Sequence, residues 1–570
     1  MKRFFTLILA LIFLWACTPD KGGSDCDGAT TPSEGVTVWG IVYADGTNTL
    51  EGVVVSDGLQ CVQTDEKGYF EMKSDLSRTR FITASIPSGY YASTDENGLP
   101  KFYYRVTDEE RSKNLVKCSF TFPPIIDNPN RITMFVAADP QTRPKTTKWD
   151  QVAYHSLDIS NDLYRDMREK AATVSDHQVY GLMLGDIVHE HMPHYEDYTA
   201  WLNTLGFPMF NVIGNHDNDT SAKDDAEGSR YFEQYLGPTY YSVNLGKWHL
   251  VVLDNLIMSI NEDNGLLQQY EHGLTDEIWE WLQNDLSFVD RSTKIMVAAH
   301  APMFMRSSLY DSSTAQGGHR NKYGALFCEF DEVHAWAGHT HITFNYVYPE
   351  SSSRRGINVH TLARCTGEPY TNEWIASNTP RGYTVVEIDG DNISWHFKPL
   401  KYQSEYTGQT SKLPQYKYRD WDFDEDGVAK MRSDGSELDE SYQMKVFAPG
   451  EYFKTFDDME NFMNNGIEEN REMEMVYADV FLWDEKWEIP KYNGEPMERV
   501  HQKEAYSLLD YEMKYHYYNY GHMMKGHGSH KPSDNTVFTV FRAKESRKSG
   551  SGTVTVKDRF GKVYSRTISW

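Results

Sequence analysis

Residues 207–219, FPMFNVIGNHDND, contain the pattern that decides the fold of this chain. An apolar run with the character of a buried strand, FNVI, ends at once in the polar sequence GNHD (214–217). Polar groups therefore stand where a strand leaves its sheet. Gly-Asn-His-Asp alone is a weak signal, and its value depends on whether other stretches of the chain end in the same way.

Four further stretches have this form. Apolar runs end at Asp139 and Gln141 after FVAA, at Asp186 after GLMLG, at His300 after IMVAA, and at His339 and His341 after AWAG. In open α/β sheets, sites form at the carboxyl ends of the strands. We therefore expect these five endings to converge on one place.

The region 130–400 has the pattern of an α/β domain. Its strand-like runs alternate with amphipathic helical patterns such as TDEIWEWLQNDL (275–286), in which Asp276 and Glu277 suit a helix start. Strands that alternate with helices indicate an α/β core.

The flanking regions are predicted to be β-rich. Residues 36–125 contain short alternating runs separated by turn signals, which predicts a small antiparallel β-sandwich. Residues 401–440 are polar and rich in Asp, as expected of a linker, and 441–570 are predicted to form a C-terminal β-rich accessory domain.

The composition excludes some partners. The chain has 570 residues, 14% of them aromatic, and a formal net charge of −27. This negative net charge argues against a nucleic-acid duplex as partner, because phosphate backbones are bound by basic faces. An anionic substrate would have to be held by local cations or by metal ions.

The N-terminal residues 1–17, MKRFFTLILALIFLWAC, resemble a bacterial lipoprotein signal peptide with a lipobox ending at Cys17. Cys17 is therefore predicted to carry a lipid, and the polar residues 18–35 to be a flexible tether. The alternative is a short transmembrane anchor. Either way the chain is expected to be exported and membrane-anchored, in the periplasm or at the cell surface. The remaining cysteines are odd in number, and no disulfide pairing is predicted.

The residue types at the strand ends suit metal ions. Carboxylate, amide and imidazole groups together favour two adjacent divalent ions of intermediate hardness, because one ion would leave too many ligands unused. The candidate ligands are Asp139, Gln141, Asp186, Asn215, His300, His339 and His341.

In this order, the motifs DPQ (139–141), GD (185–186), GNHD (214–217), AH (299–300) and GHTH (338–341) resemble those of the calcineurin-like metallophosphoesterase family. The resemblance implies a four-layer α/β/β/α sandwich, flanked here by N- and C-terminal β-sandwich domains. It also implies that Asp186 bridges the two ions. Asp139, Gln141 and His341 would then complete one metal position, and Asn215, His300 and His339 the other.

The resemblance further implies hydrolysis of a phosphate mono- or diester. A hydroxide bridging the metals would attack phosphorus, and His216 would act as general acid toward the leaving group. Asp217 would hydrogen-bond the imidazole of His216 and fix its orientation.

One position departs from the family pattern. The first motif of the family is usually Asp-x-His, whereas this chain has Gln141, which offers an amide oxygen in place of an imidazole nitrogen. The metals remain open among Mn, Fe, Zn, Mg and Ca. As a hypothesis, Gln141 shifts the first position from iron or zinc toward manganese, magnesium or calcium.

The predicted substrate is a phosphorylated small molecule, lipid or glycan, with His189, Arg364 and Trp374 as substrate-binding residues. An alternative hypothesis is a catalytically weak core that serves as a cell-surface glycan- or metal-binding protein. Its support is Gln141 and the stretch 511–531, which is dense in Tyr, His and Met.

Overall fold

The computed structural model describes most of the chain from residue 31 onward. The described residues are 31–144, 156–304, 320–341, 343–348, 355–366, 379, 381–401, 422–423, 429–431, 439–451, 454, 471–500 and 539–570. The predicted signal peptide with Cys17, most of the tether, most of the 401–440 linker, Trp374 and the stretch 511–531 lie outside them. Among the described residues, no helix has the length and apolar composition that a membrane span requires.

Two small sheets that share one apolar core form the N-terminal part of the structure. The elements are β1 (Val38–Tyr43), β2 (Val54–Ser56), β3 (Cys61–Gln63), β4 (Tyr69–Met72), β5 (Phe81–Ala84), β6 (Tyr103–Arg105), α1 (Asp108–Lys113), β7 (Val116–Lys117) and β8 (Phe120–Thr121). One sheet has the order β3-β2-β5-β6, and the other has β4-β1-β7 with β8 also paired to β1.

The prediction of a purely antiparallel sandwich is wrong in one respect. Strand β1 is antiparallel to β4 but parallel to both β7 and β8. The short helix α1 lies between β6 and β7, and a chain that crosses over before it pairs can enter the sheet in the same direction as its neighbour.

The central part contains two larger sheets with helices outside them. Its elements are β9 (Arg131–Ala137), α2 (Ser156–Ala171), β10 (Gln178–Met183), α3 (His194–Leu205), β11 (Met209–Asn211), a 3₁₀ turn (Asn215–Asp217), α4 (Asp225–Gly228), α5 (Arg230–Leu236), β12 (Tyr241–Leu245), β13 (Trp248–Leu253), β14 (Leu256–Ile260), β15 (Leu267–His272), α6 (Asp276–Ser287), β16 (Lys294–Ala299), α7 (Arg320–Phe327), β17 (Glu332–Ala337), β18 (Phe344–Tyr348), β19 (Ile357–Thr361), β20 (Gly382–Asp389) and β21 (Asn392–Pro399).

Parallel pairing dominates the middle of both sheets. The first sheet has the order β11-β10-β9-β20-β21, in which β9, β10 and β11 run parallel. The second has the order β12-β13-β16-β17-β19-β18, in which β13, β16, β17 and β19 run parallel. Strands β14 and β15 form a separate two-stranded ribbon.

Three apolar clusters define the layers of this central part. Leu163 of α2 and Leu202 of α3 pack with Phe135 on the outer face of the first sheet. Trp281 of α6 packs with Val297 on the outer face of the second sheet. The inner faces of the two sheets share a third cluster, which continues into the N-terminal and C-terminal sheets. The predicted four-layer α/β/β/α sandwich is confirmed, because each sheet is covered by helices on one face and by the other sheet on the opposite face.

The C-terminal strands form two further sheets and one two-stranded pair. They are β22 (Asp422–Phe423), β23 (Ala429–Met431), β24 (Met444–Phe447), β25 (Met475–Val480), β26 (Lys491–Tyr492), β27 (Glu495–Pro496), β28 (Glu498–Arg499), β29 (Val540–Lys544), β30 (Ser551–Lys557) and β31 (Val563–Ser569). The sheet orders are β24-β25-β29-β28 and β27-β26-β30-β31. This region docks on β21, where the Gln443 side-chain amide donates to the carbonyl of Phe397 (2.7 Å) and accepts from its N–H (3.1 Å).

Candidate metal centre

The predicted ligands come together at one edge of the central sandwich. Each follows the carboxyl end of a strand, which is β9, β10 or β11 in the first sheet and β16 or β17 in the second. Because those strands are parallel within each sheet, their ends lie on the same side. The predicted ligands are Asp139 and Gln141 after β9, Asp186 after β10, Asn215 after β11, His300 after β16, and His339 and His341 after β17.

The backbone at these strand ends is strained. The φ angles of Asp139, Gln141, Asp186, His339 and His341 lie between 45° and 67°, in the left-handed region that non-glycine residues rarely adopt. Each such residue costs on the order of 1–3 kcal/mol and persists only where its surroundings hold it. Strained residues cluster at functional sites, and this edge of the sandwich is therefore a candidate functional site.

Asp139, Asp186 and His300 form the buried centre of the site. One potential ligand atom from each of the three lies within 4.8 Å of the other two. His300 Nε2 is 3.3 Å from Asp186 Oδ2 and 3.9 Å from Asp139 Oδ1. All three side chains are at most 2% exposed. His300 Nδ1 donates to the carbonyl of Leu184 (2.7 Å), which leaves Nε2 to face the carboxylates.

Gln141 and His341 lie beside Asp139, on the side of the centre where the first metal position is predicted. His341 Nε2 is 3.4 Å from Asp139 Oδ1 and 3.0 Å from Gln141 Nε2. The amide nitrogen of Gln141 donates to Asp186 Oδ2 at 2.8 Å. Rotation of the amide by about 180° would present its oxygen at the same place, so the side chain can reach the metal position predicted for it.

Asn215 and His339 lie beside His300, on the side of the centre where the second metal position is predicted. His339 Nδ1 is 3.0 Å from Asn215 Oδ1 and 3.2 Å from His300 Nε2. The main-chain N–H of His339 also donates to both carboxylate oxygens of Asp139, at 3.0 and 3.2 Å. The two sides therefore meet at Asp139 and Asp186.

The donor set fits divalent metal ions. Atoms bound about 2.1 Å from one ion lie about 3 Å apart, close to the 3.0–3.4 Å separations that these donors have. Burial by itself lowers the pKa of His300, but the Asp186 and Asp139 carboxylates raise it to about 9. Two buried carboxylates thus draw a positive charge to this position, and a metal ion would displace the proton from His300.

Two glycines allow the ligand loops to approach each other. A Cβ added at Gly214 would lie 2.2 Å from Asp186 Oδ1, and one at Gly338 would lie 2.3 Å from Asp139 Oδ2. We expect Gly214→Ala and Gly338→Ala each to destabilise the fold by about 1–3 kcal/mol and to weaken metal binding by about 10- to 100-fold. Thermal unfolding with and without added metal would measure both effects.

Gly46 provides the matched control for these variants. A Cβ at Gly46 would meet no atom within 4 Å. Gly46→Ala should leave the unfolding temperature and its response to metal unchanged. Normal metal binding by Gly214→Ala would contradict the close approach of the two loops.

The predicted hydrogen bond between Asp217 and His216 is wrong. The Asp217 carboxylate accepts from the N–H groups of Gly214 (2.8 Å), Ile187 (2.9 Å) and Val188 (3.1 Å) and from the Tyr195 hydroxyl (3.0 Å). Among the described contacts of Asp217, none reaches the imidazole of His216. Asp217 instead ties the loop after Asp186 to the turn before His216, because adjacent side chains in the tight turn point in different directions.

Glu190 is the carboxylate beside His216. Its Oε1 lies 3.4 Å from His216 Nδ1, which is ion-pair distance but outside hydrogen-bond geometry. Contact with His216 lowers the pKa of Glu190, and burial opposes that shift. Glu190 also has a left-handed φ of 56°, and its N–H donates to the carbonyl of His216. Its position four residues after Asp186, between two histidines, was the only signal in the sequence.

His189 and Arg364 lie close to the site in different environments. The His189 ring is centred 3.9 Å from the ring of His216. Burial, followed by the charge of His216, lowers the pKa of His189, which keeps it neutral. Arg364 is 1% exposed, and its guanidinium donates to the carbonyls of Asp139 (3.1 Å) and Gln141 (3.2 Å). These bonds hold the first ligand loop, and substrate contact by Arg364 stays a prediction, as does contact by Trp374.

Three family models match the chain in sequence order. The N-terminal domain of calcineurin-like phosphoesterase matches residues 36–122, calcineurin-like phosphoesterase matches 133–343, and the C-terminal domain of calcineurin-like phosphoesterase matches 366–564. No curated protein matches the chain significantly.

Several solved structures are similar over about half of the chain. A purple acid phosphatase from yellow lupin (Lupinus luteus) seeds is 13% identical over 48% of this chain and 52% of its own, with a TM-score of 0.32. A dimetal phosphatase from Danio rerio is 16% identical over 47% and 95%, with a TM-score of 0.31. A 5'-nucleotidase precursor from Thermus thermophilus is 12% identical over 47% and 54%, with a TM-score of 0.27.

The family assignment rests on the three sequence models, which together extend from residue 36 to residue 564. The match to the lupin and Thermus proteins spans about half of their length. The strand ends that the central model covers include Asp139, Asp186 and His300, the buried group that can hold a metal ion. The chain belongs to the calcineurin-like phosphoesterase family, a family of metal-dependent phosphoester hydrolases, and carries that family's N- and C-terminal domains.

Proposed function

We propose that this protein hydrolyses a phosphate mono- or diester at a centre of two divalent ions, with His216 as the general acid. The observation that carries the proposal is the convergence of carboxylate, amide and imidazole donors from five strand ends, with separations near 3 Å. Asp139, Gln141, Asp186 and His341 would hold one ion, and Asp186, Asn215, His300 and His339 the other.

The ions would supply the charge that this acidic chain lacks. Bound divalent ions lower the pKa of water and neutralise phosphoryl oxygens. The protein's own contribution is a rigid, largely buried set of ligands. The strained loops hold Asp139 and Asp186 in place, and the backbones of Gly214 and Gly338 pack directly against their carboxylates. A site that is already arranged does not have to reorganise during the reaction.

His216 is suited to proton transfer by its position. Its main-chain N–H donates to Asp186 Oδ1 (2.9 Å), which places the residue directly beside the metal ligands. The side chain is 26% exposed, so a substrate can reach it, and Glu190 lies against Nδ1. A proton on Nε2 could then pass to the departing oxygen, a contribution of about 10² to 10⁴ in rate.

The family and the site support a phosphorylated substrate. A phosphorylated small molecule, lipid or glycan would bring the phosphate to the metal ligands, with its leaving group toward His189, Glu190 and His216. The same arrangement of ligands serves monoesters and diesters, so the structure favours neither.

A hydrolysis screen tests the proposal. The metal-free full-length protein would be supplied in turn with Mn²⁺, Zn²⁺, Fe²⁺, Mg²⁺ and Ca²⁺ and assayed on p-nitrophenyl phosphate and bis-p-nitrophenyl phosphate. We expect hydrolysis of at least one ester that depends on added metal and is abolished by chelation. Two ions bound without hydrolysis of any ester, together with tight glycan binding, would instead support the alternative of a binding protein.

A further inference from the structure

The ribbon formed by β14 and β15 borders the second metal position. Tyr270 and His272, two residues apart on β15, place their rings against the ring of His339, with centroid distances of 5.6 and 5.2 Å. Both contacts are edge-to-face, with interplanar angles of 79° and 84°. Alternate residues of a strand point to the same side, which explains why both rings reach one histidine.

His339 presents its two ring nitrogens to different partners. Nδ1 faces Asn215 Oδ1 and His300 Nε2, the atoms of the second metal position. Nε2 faces the Tyr270 hydroxyl at 3.5 Å, the outer limit of a hydrogen bond. The Tyr270 hydroxyl therefore lies at hydrogen-bond distance from the ring nitrogen of His339 that does not face the second metal position.

The chemistry of a ligating imidazole determines what Tyr270 does. A neutral imidazole has one proton, so if Nδ1 binds the ion the proton lies on Nε2. Nε2–H then donates to the Tyr270 oxygen. In His300 the two nitrogens exchange these roles. Its Nδ1–H donates to the Leu184 carbonyl, and its Nε2 faces the carboxylates.

The ribbon is anchored firmly enough to act as a support. At its base the Asn255 side chain donates to the carbonyl of Ala301 (2.7 Å) and accepts from its N–H (3.1 Å), directly after the ligand His300. The N–H of Gly273 donates to the carbonyl of Asn255 and closes the base of the ribbon. The N–H of Leu267 donates a hydrogen bond to the carbonyl of Thr220, which lies three residues after Asp217.

We infer that Tyr270 is a positioning residue for the metal centre: its hydroxyl accepts the Nε2 proton of His339 and holds Nδ1 toward the second ion. The inference rests on the metal centre of the proposed function, because it needs His339 to be a metal ligand, and it does not require hydrolysis. Partners of this kind typically contribute 10- to 100-fold to metal affinity.

Tyr270→Phe is the variant that tests this role. It keeps the ring contacts and removes only the hydroxyl, and Tyr270 is 37% exposed, so the fold should tolerate the change. Titration of the metal-free protein with Mn²⁺ in a calorimeter should show affinity lowered about 10-fold at one of two sites. The visible absorption of bound Co²⁺ should also change, because it reports the ligand geometry of the ion.

Tyr231→Phe is the matched control, because Tyr231 is 42% exposed on α5. It should bind both ions as the parent does. At saturating metal, kcat and KM of Tyr270→Phe should return to within about twofold of the parent. A lowered kcat/KM at saturating metal with unchanged metal affinity would overturn the inference, because it would make Tyr270 a substrate contact.

The outcomes separate this inference from the proposed function. Equal Mn²⁺ affinities in Tyr270→Phe and the parent would overturn the role of Tyr270 even if the parent is an active phosphoesterase. A parent that binds two ions and hydrolyses no phosphoester would refute the proposed function. In that case a 10-fold weaker site in Tyr270→Phe would still support the positioning role.

Discussion

Asp186→Asn is expected to remove metal binding and to lower hydrolysis at least about 10³-fold, because several kcal/mol of transition-state stabilisation depend on the metal centre. Asp186 lies where the two sides of the site meet, with Oδ2 3.3 Å from His300 Nε2 and 2.8 Å from the Gln141 amide. Burial raises its pKa, but His300 and His216 lower it well below the usual value. The carboxylate is therefore charged, and Asn removes that charge from the centre.

Thermal unfolding gives a readout that does not depend on activity. An ion that binds only the folded state stabilises it by about 2.7 kcal/mol at a concentration 100 times its Kd. Added Mn²⁺ should therefore raise the unfolding temperature of the parent and leave that of Asp186→Asn unchanged. A full metal response in Asp186→Asn would contradict the assignment of Asp186 as a ligand.

Asp254→Asn is the control for this variant. Asp254 follows β13 much as Asp186 follows β10, but it is not part of the buried metal-binding group found among the described residues. Burial, followed by the charge of Asp225, raises the pKa of Asp254 to about 8, so near neutral pH it is mostly uncharged. Asn is a close substitute for a protonated carboxyl group, and metal binding should be retained.

His216→Ala is expected to lower kcat by about 10² to 10⁴ while both ions stay bound. The size of the loss should depend on the leaving group. A p-nitrophenolate leaves with little help from an acid, whereas an alkoxide requires a proton, so the loss should be much larger for an alkyl phosphate ester. Comparison of kcat for aryl and alkyl esters, with metal content measured in parallel, checks this expectation.

Two further variants locate the effect. Glu190→Gln removes the carboxylate 3.4 Å from His216 Nδ1 and should give a smaller loss in the same direction, largest for the alkyl ester. His191→Ala changes a neighbouring imidazole whose ring lies against His194 and should leave kcat nearly unchanged. An equal loss on aryl and alkyl esters in His216→Ala would rule out a general acid and indicate a role in binding.

The convergence of the predicted ligands can be expected from the sequence because each of them follows an apolar strand. The runs before Asp139, Asp186 and His300 are β9, β10 and β16, and the order of parallel strands brings their ends to one edge. Local sequence predicts this arrangement because a buried parallel strand is apolar throughout its length. Polar residues that directly follow such a strand lie at the edge of the sheet, where the sites of open α/β sheets form.

The roles of Asp217 and Glu190 could not be read in the same way. The family resemblance implies a bond from Asp217 to His216, yet the Asp217 carboxylate accepts from the backbone N–H groups of Gly214, Ile187 and Val188. Glu190 reaches His216 through a left-handed turn at φ 56°, a conformation that nothing in its local sequence specifies. Which carboxylate faces an imidazole depends on side-chain direction in two loops, and that direction is a tertiary property.

By itself the sequence determined the α/β core, the β-rich flanks and the candidate metal-binding residue types at the strand ends, because strand periodicity and strand-end chemistry are local. The tertiary structure decided the parallel pairing of β1 with β7, the partner of His216, and the approach of Tyr270 to His339. Tyr270 lies 69 residues from His339 in the chain, and the packing of a separate ribbon against the strand end brings them together. Contacts of that range arise from how whole elements pack, and local sequence therefore carries no signal for them.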